Sequence, residues 1–112
     1  MVRIVAIIRP HKLEEVKTAL AAHGVTGITV SDVRGCGSSV EQSDWHLGKE
    51  YVISLPQKVK LEAVVADELL EEAIEAILAS ARTGRPGDGK IFVYPEERVV
   101  RIRTGESGPS AL

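Results

Sequence analysis

The segment Arg82-Thr83-Gly84-Arg85-Pro86-Gly87-Asp88-Gly89-Lys90 carries the residues best suited to chemistry, three glycines and three cations within nine positions. Glycine lets the backbone approach a ligand without a Cβ in the way. Exposed backbone N–H groups beside Lys and Arg form a concavity that binds anions. A second cationic run, Arg101-Ile102-Arg103-Thr104-Gly105, follows shortly after. Together the two runs point to a phosphate site, with a nucleotide as the natural ligand. The spacing is not that of a P-loop. Gly84 and Gly89 are followed by Lys90, but Ile91 stands where a Ser or Thr hydroxyl would hold magnesium, and the loop leads into a strand instead of a helix. Nor is it G-x-G-x-x-G. On local residues alone, a glycine-rich turn with solvated charges fits equally well.

Those residues need a scaffold. A chain of 112 residues is sized for one domain spanning residues 1–112. Aromatics are only 4% against 44% hydrophobic residues, so the core must come from Val, Ile, Leu and Ala. The formal net charge of −2 argues against a nucleic-acid partner or a polybasic membrane binder. The single cysteine, Cys36, excludes an intrachain disulfide and fits a reducing compartment. The segment Met1 to Pro10 is too short and too charged for a signal peptide, and no apolar run reaches membrane-spanning length. The expectation is a cytoplasmic protein that does not insert into a membrane.

Val2 to Arg9 alternates as a strand, with Val2, Ile4, Ala6 and Ile8 on one face. Lys12 to His23 reads as a helix with Leu13, Val16 and Leu20 on its buried stripe and Gly24 just past its end. Gly27 to Val33 is β-branched and strand-like. From Gly35 to about Leu55 no period is sustained, and long irregular loops in compact domains are usually functional or disordered. Lys58 to Val65 alternates cleanly, with Val59, Leu61, Ala63 and Val65 opposite Lys58, Lys60 and Glu62. Asp67 is expected to cap the next helix, whose stripe is Leu70, Ile74, Ile77 and Ala81. Strands are expected at Lys90 to Tyr94 and Arg98 to Arg103, and a mobile tail at residues 106–112. The order β-α-β, loop, β-α-β predicts an α+β, ferredoxin-like βαββαβ sandwich with both helices on one face of the sheet. The other face carries Val5, Ile7, Val64 and Val99 with nothing to cover it, which predicts an oligomer.

The whole chain closely resembles the PII family of signal-transduction proteins. The resemblance rests on Ile7-Ile8-Arg9-Pro10, Lys12-Leu13-Glu14-Glu15-Val16, Gly27-Ile28-Thr29-Val30, Lys58-Val59-Lys60-Leu61-Glu62 and Ala81-Arg82-Thr83-Gly84. It continues through Gly87-Asp88-Gly89-Lys90-Ile91-Phe92-Val93 and Val99-Val100-Arg101-Ile102-Arg103-Thr104-Gly105-Glu106. It implies a compact homotrimer that binds ATP or ADP in clefts between subunits. Gly87, Asp88, Gly89, Lys90, Arg101 and Arg103 would hold the phosphates. Thr29 and Val64 would lie by the adenine and Glu62 near the nucleoside, and Ile7, Gly35, Gly37 and Ser38 complete the implied nucleotide-binding set. Residues 37–55 take the place of the family's mobile T-loop, which reports nucleotide state to partner proteins.

In that loop the chain departs from the family pattern. Ser38 replaces an Arg that reaches ATP, and Ser39 replaces a Gln that helps hold magnesium with 2-oxoglutarate. A Ser hydroxyl is too short to serve at the same place, and magnesium tolerates little distortion of its octahedral shell. Lys58, the family's 2-oxoglutarate partner, is present. The expectation is weakened or absent 2-oxoglutarate sensing. Leu47 replaces an Arg that the family uses on ammonium channels and on an arginine-pathway kinase. Tyr51 stands where some members are uridylylated, and Trp45 is either an interface anchor or folded back on the domain.

Cys36 beside two glycines reads as inert, and His11, His23 and His46 have no metal-ligand spacing with one another or with Cys36. No metal site and no catalytic residue is expected, and Asp88 is read as shaping its turn. The function expected is an adenine-nucleotide sensor that regulates a membrane transporter or metabolic enzyme in nitrogen metabolism. Alternatives are a variant serving bicarbonate or carbon handling through ATP and ADP alone, and a slow ATPase.

Overall fold

A computed structural model describes residues 1–36 and 55–112. The elements run β1 (Val2–Ile8), a 3₁₀ turn (Pro10–Lys12), α1 (Leu13–Ala22), β2 (Ile28–Arg34), β3 (Gln57–Val65), a 3₁₀ turn (Asp67–Leu69), α2 (Leu70–Ala81) and β4 (Lys90–Pro95). The sheet order is β2-β3-β1-β4, and all three neighbouring pairs are antiparallel. Because β1 and β2 both run opposite to β3, the two strands of the first βαβ unit are parallel but not adjacent. The second unit interleaves with it, which is the ferredoxin-like arrangement.

The alternation along β1 and β3 decides the layers. Ile4, Ala6 and Ile8 pair in register with Ala63, Leu61 and Val59, and all six are buried on one face of the sheet. Val16 and Leu20 of α1 and Ala73, Ala76, Ile77 and Ala81 of α2 close that core from above. Alanines on α2 allow the helices to sit close, as a core poor in aromatics requires. The opposite face bears Arg3, Val5 and Ile7, the odd positions of β1, paired with Tyr94, Phe92 and Lys90 of β4. Phe92 and Tyr94 are 42% and 49% exposed there. Val5 is buried even in the single chain, so it adds less to that open face than its alternation implies.

Two expectations require correction. Arg98 to Arg103 forms no strand. Its place is taken by a tight turn, with Gly105 N–H donating to the Arg101 carbonyl and Arg101 N–H to the Glu106 carbonyl, and an isolated bridge between Val100 and Ser107. Gly105 and Gly108 adopt positive φ of 75° and 80°, and their freedom turns the chain back where strand propensity would extend it. Val99 therefore lies beyond the sheet. Asp67 does not cap α2. It lies inside the 3₁₀ turn, and its carboxylate meets the Met1 amino group at 2.9 Å. Within residues 106–112 a further 3₁₀ turn, Pro109–Ala111, is tied back to Arg101. Among the described residues, no helix is long and apolar enough to cross a membrane.

Candidate functional site

The glycine loop joins the end of α2 to the start of β4, and its shape is set by one carboxylate. Asp88 accepts from the backbone N–H groups of Thr83 and Gly84, both at 2.9 Å, and from the Thr83 hydroxyl. It also accepts from Arg9 Nε at 3.1 Å, while Arg9 Nη2 reaches the Pro86 carbonyl at 2.7 Å. Desolvation pushes the Asp88 carboxyl up, but the bonds from Thr83, Gly84 and Arg9 outweigh it and hold the group well below the usual carboxylate range. The expectation that Asp88 shapes the turn agrees with this geometry. Arg9 lies 79 residues away in sequence, and nothing in the local pattern reveals its part.

The sign of this shift gives a pH prediction. A carboxylate whose folded pKa lies below its unfolded value adds stability above the unfolded value of about 4, and loses it as pH falls toward the folded value. Asp88→Asn removes the charge. The stability gap between wild type and Asp88→Asn, measured by urea unfolding, is expected to stay constant from about pH 8 to 5 and to narrow below about pH 4.

The loop is also pinned from beneath. Lys58 is buried at 5% exposure and its Nζ donates to the Gly87 carbonyl at 2.8 Å. A charged donor in a dry position must be satisfied, so this contact fixes the loop's height over the sheet. Gly89 passes so close to β1 that an added Cβ would lie 1.6 Å from the Ile7 carbonyl oxygen, at a φ of 100°. Only glycine fits.

Two grooves flank these elements. One, of about 630 Å³, is lined by Ile7, Gly35, Lys58 and the whole run Gly87, Asp88, Gly89 and Lys90. Arg34, Lys60 and Arg85 add cations to its wall, and Cys36 lies beside them. Asp88, already engaged by Arg9, is the one carboxylate among its described lining residues. The groove is therefore built to attract an anion. Arg85 belongs to the glycine loop itself, but the sequence reading missed Arg34 and Lys60, because only the strand pairing brings them beside it.

The second groove, of about 650 Å³, gathers Thr29, Glu62 and Val64 with Val99, Ala111 and Leu112. Arg3 orients Glu62 there. Its Nε donates to Glu96 at 2.7 Å and its Nη1 stands 3.6 Å from Glu62. The hydrogen bond and charge of Arg3 hold Glu96 below its ordinary range. Arg101 approaches this side through the Ser110 and Leu112 carbonyls, while Arg103 is exposed. The expected nucleotide residues thus fall into two sets at opposite ends of β3. Lys58 and Val64 are separated by about 20 Å at ~3.3 Å of rise per residue. Gly37, Ser38, Ser39, Trp45, Leu47 and Tyr51 lie outside the described residues, as does the body of the expected T-loop.

Comparison with known proteins decides the kinship. Residues 1–106 match the family model described as nitrogen regulatory protein P-II. A nitrogen regulatory protein P-II of Azospirillum brasilense is 54% identical over 112 residues, covering all of both chains. The protein of that name from Rhodospirillum rubrum is 52% identical and that from Pasteurella multocida 49%, again over the full length of both chains. The chain belongs to the P-II family. In P-II terms, the glycine loop and the Arg101 turn both lie within the matched region. The Ser110 and Leu112 carbonyls that engage Arg101 lie beyond it.

Proposed function

We propose that this protein is a signal-transduction regulator in nitrogen metabolism that senses ATP and ADP in clefts between copies of itself. The observation that carries the reading is the division of its candidate residues. The cationic glycine groove and the Thr29, Glu62 and Val64 groove are separate on one chain, so each is half of a site. Joining the glycine groove of one copy to the second groove and Arg101 of its neighbour gives a polyphosphate cations on two sides. The sheet face that bears Phe92 and Tyr94, exposed among the described residues, supplies apolar surface for that assembly, and Ile102 is fully exposed between Arg101 and Arg103. A closed trimer buries all three copies of such a heterologous surface.

The role assigned is regulation rather than turnover. The carboxylate nearest the proposed phosphates, Asp88, is consumed in shaping its loop and is poorly placed as a general base. Partners are regulatory targets, such as a transporter or a metabolic enzyme, reached through residues 37–55. Ser38 and Ser39 support sensing by adenine nucleotides with a weak 2-oxoglutarate response. Titration calorimetry tests this. ATP and ADP bind the wild type, and Lys90→Ala weakens both about 10- to 100-fold, the loss of one charge-assisted contact. Tight binding of 2-oxoglutarate with magnesium and ATP overturns the weak-response reading. Absence of binding by any adenine nucleotide overturns the whole.

A further inference from the structure

Arg101 already has a ligand. Its Nη2 donates to the backbone carbonyls of Ser110 at 3.3 Å and Leu112 at 3.2 Å, and its Nη1 faces the Glu106 carboxylate at 3.9 Å. Two carbonyl oxygens and a carboxylate surround the guanidinium much as phosphate oxygens would. The segment making these contacts is held in place by the Gly108 N–H on the Val99 carbonyl at 3.0 Å and the Ala111 N–H on the Gly108 carbonyl at 2.9 Å. Its end, Ala111 and Leu112, forms part of the wall of the groove that holds Thr29, Glu62 and Val64.

We propose that the segment Ser107 to Leu112 is an internal competitor for the nucleotide site, a strap that Arg101 must release before it can grip phosphate. The inference rests on the reading of Arg101 as a phosphate ligand. The terminal nitrogens of a guanidinium serve a bidentate phosphate as a pair, and here both are directed at the chain itself. These chain oxygens together carry less charge than a polyphosphate, so nucleotide displaces the strap and the strap reduces apparent affinity by the fraction of chains in which it is closed. Nucleotide binding thereby changes the surface at the chain's end as well as the cleft.

The position to perturb is Gly108, whose φ of 80° and ψ of −159° suit glycine alone, while its added Cβ would meet no atom within 4 Å. Gly108→Val therefore strains the strap without disturbing the sheet. By calorimetry, Gly108→Val is expected to bind ATP about 5- to 10-fold more tightly than wild type. By hydrogen exchange, saturating ATP is expected to speed exchange of the Ala111 amide in wild type. Equal or weaker binding by Gly108→Val, or slower exchange at Ala111 with ATP, overturns the strap while leaving the nucleotide site intact. If neither protein binds any adenine nucleotide, the site reading itself fails and the strap with it.

Discussion

Gly89→Ala is expected to destabilise the protein by about 3 kcal/mol, and to abolish nucleotide binding even where the protein still folds. The new Cβ would lie 1.6 Å from the Ile7 carbonyl oxygen, a backbone atom in a central strand that cannot rotate away. Relief requires the glycine loop to lift from β1 or β4 to shift its start. The φ of 100° at this position adds a penalty of its own for any L-residue. Either movement breaks the 2.8 Å contact from Lys58 to the Gly87 carbonyl and turns the loop amides away from the groove. Urea unfolding measures the first effect and calorimetry with ATP the second. Wild-type stability in this variant would show that the loop does not pack on β1 as described. Gly84 offers a control, since its added Cβ would meet no atom within 4 Å.

Most of the fold was legible because two periods dominate it. Period-2 alternation over Lys58 to Val65 gave the faces of β3 correctly, and the stripes through Val16, Leu20, Ile77 and Ala81 gave the helix faces. At two places turn geometry overrides local propensity. Arg98 to Arg103 alternates like a strand, yet Thr104-Gly105 and Gly108 bend it back before it can pair. Asp67 has the right type for a cap, but the chain begins its helix with a 3₁₀ turn and the carboxylate finds an amino group instead.

The site was legible in its residue types and not in its contacts. Glycines and cations in one short run announce an anion site by composition. Their constraints are tertiary. Arg9 holds Asp88 and Pro86, Lys58 holds Gly87, and Ile7 forbids a side chain at Gly89. Each of these joins residues about 30 to 80 positions apart, brought together only by the β2-β3-β1-β4 order. The division of the candidate residues between two grooves was likewise invisible in the sequence, where Glu62 and Lys58 stand four residues apart.

That division underlies the proposal that each nucleotide site is shared by two copies of the chain. Chains bearing Lys90→Ala keep Arg101, and chains bearing Arg101→Ala keep the glycine loop. Each variant alone is expected to lose ATP binding about 10- to 100-fold, because every site in it lacks one cation. Unfolded together and refolded as a mixture, they form assemblies in which about a quarter of sites join an intact loop to an intact Arg101. Calorimetry on that mixture is the direct measurement. About a quarter of the sites are expected to regain wild-type affinity for ATP. A mixture that binds no better than either variant alone, with mixed assemblies confirmed by native mass spectrometry, would contradict it.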